Sequence, residues 1–300
     1  MHRLRIAPVL VLATASCVSL ADTCPPAGMD REALLQLRAR QFQPADPQLT
    51  GDLAVSLLPC LASPDAQLRD GVAFEALAAW MRGKQLTAST ARVILERLLP
   101  QIDPGFPAGE GFVKPFSALV LAEVARMDRI EPWLSDAQLD DLLRAAAGYL
   151  RSIDDYRGYD ERTGWRHGVA HGADLLLQLS LNPRLDADDL RIVLDALASQ
   201  VAPTAGHFYN YGESARLALP VVFTAQRKLL SDSDWQAWFS RITSPAPMQS
   251  WGDAFASQAG LAKRHNTQAF LNALYASLRH SEAAQQVLRE QVIGALDKVP

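Results

Sequence analysis

Asp155-Tyr156-Arg157-Gly158-Tyr159, followed after four residues by Gly164-Trp165-Arg166-His167-Gly168-Val169-Ala170-His171-Gly172-Ala173-Asp174, is the stretch on which the fold turns. From Gly164 the spacing predicts a helix. At about 100° per residue, His167, His171, Asp174 and Gln178 fall in one narrow stripe. Val169, Ala170, Ala173, Leu175, Leu176 and Leu177 cover the rest of the circumference. A helix apolar on nearly all sides is buried, so its polar stripe needs partners or lines a pocket. Gly164, Gly168 and Gly172 recur at the same four-residue step. Each costs a helix about 1 kcal/mol against Ala, which predicts close packing of another backbone on that side.

Helical signals continue in both directions. Upstream, Ser135 and Gln138 form a capping box that opens a helix to Arg151. The segment 113–127 is nearly all apolar in its middle and carries Pro115 in its first turn, where proline is tolerated. Thr87 caps a helix over 87–99, the segment 65–81 repeats apolar residues at Leu68, Val72, Leu77 and Trp80, a short helix is expected over 53–61, and Asp30 caps the first one. Downstream, Asp186 opens a helix to Val201 with an acidic first turn. An aromatic loop follows, His207-Phe208-Tyr209-Asn210-Tyr211, and then helices over 213–230, from Ser231, over 257–280 and over 282–296. No Val/Ile/Thr alternation bounded by turn residues predicts a strand. The fold class is all-α. Helices of about 12 to 18 residues joined by short loops suggest an α/α superhelix of antiparallel helix pairs, HEAT-like in spacing. An α/α toroid is the rival.

Arg3 and Arg5 precede an apolar run from Ile6 to Leu20 that ends in small residues at Ala21. That order is a secretory signal peptide over 1–21; the alternatives are a buried first helix and, from Thr14-Ala15-Ser16-Cys17, a lipoprotein box. The expected mature chain, 22–300, reads as a single all-helical domain, periplasmic or secreted. The formal net charge falls from −4 to −6, because the first 21 residues hold two of the 29 basic and none of the 33 acidic residues. A modest acidic balance with no basic run argues against nucleic acid and anionic membranes. The mature chain has no apolar run of membrane length. Cys24 and Cys60 are its only cysteines, an even pair in a compartment that permits a disulfide.

The central stretch resembles a bacterial family known as domain of unknown function 2785. The resemblance rests on Asp155, Arg157, Gly158, Tyr159, Gly164, Trp165, His167, Ala170, His171 and Asp174, with flanking blocks at Leu68-Arg69-Asp70-Gly71, Phe116-Ser117-Ala118-Leu119, Gly212-Glu213 and Arg216-Leu217-Ala218. Lys114-Pro115 stands where the family has Arg-Ser, and Ser214 and Ala215 where it has acidic residues. The resemblance implies an all-helical, repeat-like fold and supplies no activity.

Two histidines four apart on a helix can reach one ion, zinc being the usual case. Asp174 is then a third ligand or orients His171. Glu213 and His207 are partners from another element. Gly168 stands where a metalloprotease carries its general base, so that pattern is absent. The alternative is a buried polar network joining helices. Asp155 and Arg157 read as a pair pinning the loop before the helix, with a ligand-binding Arg157 as the alternative. Glu213 and Arg216, one turn apart, can pair on the helix surface. Trp165, Phe208, Tyr209, Tyr211 and Trp251 are core residues or platforms for a sugar or peptide. Three function classes follow. They are an exported binding or scaffold protein for a protein, peptide or glycan; a divalent-metal-dependent hydrolase centred on His167 and His171; and a carbohydrate-active α/α enzyme, which requires two carboxylates facing each other across a cleft.

Overall fold

The computed structural model describes residues 23–43, 46–279 and 286–300. The expected signal peptide over 1–21, with Cys17, and the junction of the two closing helices lie outside these residues. The described chain is all-α apart from one two-stranded hairpin. Its helices are α1 Arg31–Ala39, α2 Thr50–Ser56, α3 Ala66–Leu68, α4 Glu75–Arg82, α5 Ala88–Leu98, α6 Val113–Ile130, α7 Asp136–Arg151, α8 Gly168–Ser180, α9 Ala187–Val201, α10 Glu213–Gln226, α11 Asp232–Ile242, α12 Gln258–Leu278 and α13 Gln286–Leu296. Among the described residues no helix is long and apolar enough to cross a membrane.

The starts of these helices follow from their capping residues. Asp30, Thr87, Ser135, Asp186 and Ser231 each accept a first-turn N–H, and Ser135–Gln138 is a reciprocal capping box. Three early segments differ from the periodicity. The helix expected over 53–61 ends at Ser56 and continues as a 3-10 turn over Leu58–Ala62, because Pro59 supplies no N–H for an α-helical bond. The segment expected over 65–81 is helical from Ala66, with Asp65 as its extended N-cap, but Arg69–Phe74 is wound as a π-helix. The third, a 3-10 turn over Leu99–Ile102, carries Pro100 and extends α5.

From α6 onward the helices alternate between two rows. α6, α8, α10 and α12 pack side by side in one, and α7, α9, α11 and α13 in the other. Within the first row α6, α8 and α10 run parallel. Their starts meet where Pro115 touches His171 and Arg216 touches Asp174. Their ends meet where Asp128 binds Asn182 and Arg227 binds the Ser180 and Asn182 carbonyls. α8 is buried on nearly every side, with Leu175, Leu176 and Leu179 fully enclosed. Each contributes about 1.5–3 kcal/mol by leaving water. The buried cluster runs from Leu34 to Val299, and Cys24 is bonded to Cys60, tying the leader to the 3-10 turn that follows α2.

Gly168 and Gly172 face α7, but the nearest neighbour of each is a side chain and not a backbone. A methyl group at Gly172 would lie 3.0 Å from the Leu150 side chain and 3.1 Å from the Tyr149 ring, and one at Gly168 3.2 Å from the Tyr149 hydroxyl. The small residues make room for an aromatic side chain.

Candidate functional site

The helix expected from Gly164 begins four residues later, at Gly168. Tyr159–Asp160 and Gly164–Trp165 form the antiparallel hairpin instead, with Tyr159 opposite Trp165. The cause is local. Asp160 Oδ1 accepts the N–H groups of Arg162 and Thr163 and the Thr163 hydroxyl, closing the turn. Gly164 sits at φ +73°, a left-handed conformation no helix interior takes. Arg166 and His167 continue the ladder by donating to the Gly158 and Arg157 carbonyls. The fully buried Arg69, on the π-helix, fastens the hairpin to the core. Its Nη1 donates to Ser63, its Nη2 to Thr163, and its guanidinium stacks on Phe112 and Phe116.

His167 is therefore not on the helical stripe. It is the N-cap of α8, in left-handed conformation with φ 56°. That turn still delivers its ring to His171, with centroids 5.8 Å apart and the planes at 61°. Gln178 leaves the group and accepts from Arg129 at the far end of the row. The remaining expected residues assemble at the starts of α6, α8 and α10. His171 lies edge-on to Phe116, and its Nδ1 is 3.2 Å from the Pro115 carbonyl. Asp174 is held by Arg216 through two donors on one guanidinium edge, Nε at 2.7 Å and Nη2. So Arg216 pairs with Asp174 rather than with Glu213. Glu213, 3% exposed, accepts the Tyr211 N–H at 2.8 Å and interacts electrostatically with His167.

Burial sets the charges. It pushes the His171 imidazole down to about 3, helped by the neighbouring His167 and Arg216. His167 is lowered too, by burial acting against the attraction of Glu213. Burial pushes the Asp174 carboxyl up, against the pull of Arg216, while the bonds to Asp174 raise the Arg216 guanidinium. A carbonyl can only accept, so His171 Nδ1 carries the proton and its neutral ring leaves Nε2 as a bare acceptor. His167 Nε2 is buried without a hydrogen-bond partner. The arrangement offers an acceptor and a fixed cation to a polar group.

The metal reading finds no third ligand here. Among the described residues no three His, Cys, Asp or Glu side chains are grouped to hold an ion. The two-carboxylate reading meets carboxylates already engaged: Asp174 with Arg216, Glu213 with the Tyr211 N–H, and Asp155 with Arg157 Nε at 2.8 Å. The Asp155–Arg157 pair does pin its loop, and it holds the Asp155 carboxyl below its ordinary value in spite of burial. His207 is elsewhere. It stacks on Tyr156 at 5.4 Å, beside the hairpin. Of the loop aromatics, Tyr209 and Trp251 are core residues, and Phe208 packs on His265. Trp165 and Tyr211 stay 37% and 39% exposed. Tyr156, Tyr159, Arg162 and Arg166, none of them a site candidate by periodicity or spacing, line a groove of about 510 Å³ with Arg157, His207 and Tyr211. Three arginines within ten residues of a net-acidic chain were the available signal.

With this geometry in place, the model of the family described as Protein of unknown function (DUF2785) matches residues 110–276. That span holds α6 to α11, nearly all of α12, the hairpin and every residue of the polar cluster. No curated protein and no solved structure matches the chain.

Proposed function

The chain belongs to the Protein of unknown function (DUF2785) family, and from its geometry we propose that it is an exported binding protein whose ligand enters beside the hairpin and reaches the His167–His171 cluster. One observation carries this reading. Tyr159, Trp165 and Tyr211 stand together and partly exposed, Trp165 lying 5.1 Å from Tyr159 and 5.7 Å from Tyr211. Trp165 also stacks on His167 at 4.8 Å, so the exposed rings lead directly to the buried imidazole pair. Exposed aromatic rings over a few convergent polar groups are the composition of a ligand site. Export is supported by the charged, apolar and small-residue order of the first 21 residues and by the Cys24–Cys60 bond. The alternation of helices between two rows supports an α/α superhelical frame.

The test is a thermal-shift panel of oligosaccharides, peptides and nucleotides against wild type and Trp165→Ala. At least one class should raise the wild-type melting temperature by mass action and do markedly less for the variant. A panel with no response, or responses unchanged in Trp165→Ala, would overturn the reading.

A further inference from the structure

The groove beside the hairpin differs in charge from the rest of the molecule. Arg157, Arg162 and Arg166 line it, and Asp160 is the only carboxylate among its lining residues. Asp160 is occupied, since one of its oxygens accepts three hydrogen bonds from the hairpin turn. Arg157 is balanced by Asp155 behind it. Arg166 is braced by the Glu110 carbonyl and by Thr163 and lies over Phe112. The exposed Arg162 has no side-chain hydrogen bond or ion pair among the described residues. Among the lining residues and Asp155 behind them, three guanidinium groups meet two carboxylates, with the exposed Glu161 of the same turn outside the lining, in a chain whose formal net charge is −4. A guanidinium presents a planar fork that matches a carboxylate. Beside these forks stand the exposed rings of Tyr159 and Tyr211 and the Tyr156–His207 stack. Flat apolar faces next to cationic forks suit a ligand with both a ring and a carboxylate. A bare phosphate would use the charge and leave the rings without a partner.

We propose that this groove binds an acidic oligosaccharide, a short chain of uronic-acid sugars. A sugar carboxylate pairs with Arg162 and Arg166, and the pyranose faces pack on Tyr159 and Tyr211. The inference rests on the binding reading above and names the ligand class for the same site. About 510 Å³ falls within the usual range of small-ligand sites, roughly 300–1,000 Å³.

Titration calorimetry on the mature protein tests it with four probes: trigalacturonate, trimannuronate, the methyl ester of trigalacturonate, and pyrophosphate. At least one acidic trimer should bind. The ester keeps the rings but loses the charge, so it should bind at least about tenfold more weakly than trigalacturonate if that trimer is the ligand, as expected when a charge-assisted bond is lost. Arg162→Gln, at an exposed turn position, should weaken the acidic trimer by a similar factor. Tyr159→Ala should weaken it without changing its salt dependence. The proposal is overturned if neither trimer binds, if acid and ester bind alike, if Arg162→Gln has no effect, or if pyrophosphate matches the trimers. Should it fail while another ligand class still responds through Trp165, the binding reading stands and only the ligand class is wrong.

Discussion

Replacing His171 by Asn should make the protein less sensitive to acid. The wild-type imidazole is buried, donates from Nδ1 to the Pro115 carbonyl, and faces His167, Arg216 and Arg69, all of which oppose a second proton. Its value falls from 6.5 to about 3. The unfolded chain therefore takes up a proton between these limits that the native state refuses, and stability is lost as pH falls through that window. The slope is about 1.4 kcal/mol per pH unit, so the loss from this residue at pH 5 is about 2 kcal/mol. Asn keeps an N–H for Pro115 but does not titrate. Urea unfolding at pH 7, 6 and 5 supplies the stability curves. The variant starts lower, through lost packing against Phe116, but its curve should fall less steeply by this slope. His167, also lowered by burial, keeps its own contribution in both proteins and cancels in the difference. The carboxyls that the fold holds low, Asp65, Asp155, Asp160, Asp195 and Asp234, act near and below 3.8, and Asp70 and Asp174, which burial pushes up, titrate in both proteins and drop out of the difference. Parallel curves between pH 7 and 5 would show that His171 accepts its proton in the folded state, and the account of its burial would be wrong.

Four further outcomes follow from the same geometry. Gly164→Ala places a methyl group 2.9 Å from Ala66 Cβ at φ +73°. It should lower stability by about 1–3 kcal/mol, and an unchanged urea midpoint would refute the hairpin's dependence on that conformation. Reducing the Cys24–Cys60 bond, across a sequence separation of 36, should cost about 4 kcal/mol by the chain-entropy model, measured as the drop in unfolding free energy with a phosphine reductant. Asp174→Asn leaves Arg216 without its two-pronged partner and should cost about 1–3 kcal/mol. Combining it with Arg216→Gln should cost less than the sum of the two single changes, and strict additivity would show that the pair is not coupled. Added Zn²⁺ should leave the melting temperature unchanged, since Asp174 is held by Arg216 and, among the described residues, no third ligand joins the two imidazoles; a rise that His171→Asn abolishes would support the metal reading.

The parts of this fold that were legible in the sequence are those whose cause is local. Asp30, Ser135, Asp186 and Ser231 announce their helices because a cap acts within three residues. The all-helical class follows from the sum of such signals. Position 164 is the instructive failure. His167 stands four residues before His171, so its place in the stripe mimicked a helical period, although the chain reaches that place through a hairpin and a left-handed turn. The Asp160 side chain decides between the two conformations by capturing the turn N–H groups, and an apolar-periodicity reading gives that carboxylate no weight. The ring of His167 nevertheless lies 5.8 Å from that of His171, reached from the N-cap rather than from the helical stripe. Longer-range links left no trace at all. Asp128 gathers Asn182 and Arg184 from 54 and 56 residues away and ties the ends of α6 and α8 together; Arg69 reaches 94 residues to Thr163. The groove belongs to this second kind. Three arginines can be counted in the sequence, but which of them stays unpaired depends on where Glu110, Asp155 and Thr163 arrive. Only the folded hairpin leaves Arg162 exposed on the same groove as Tyr159, with no side-chain hydrogen bond or ion pair among the described residues.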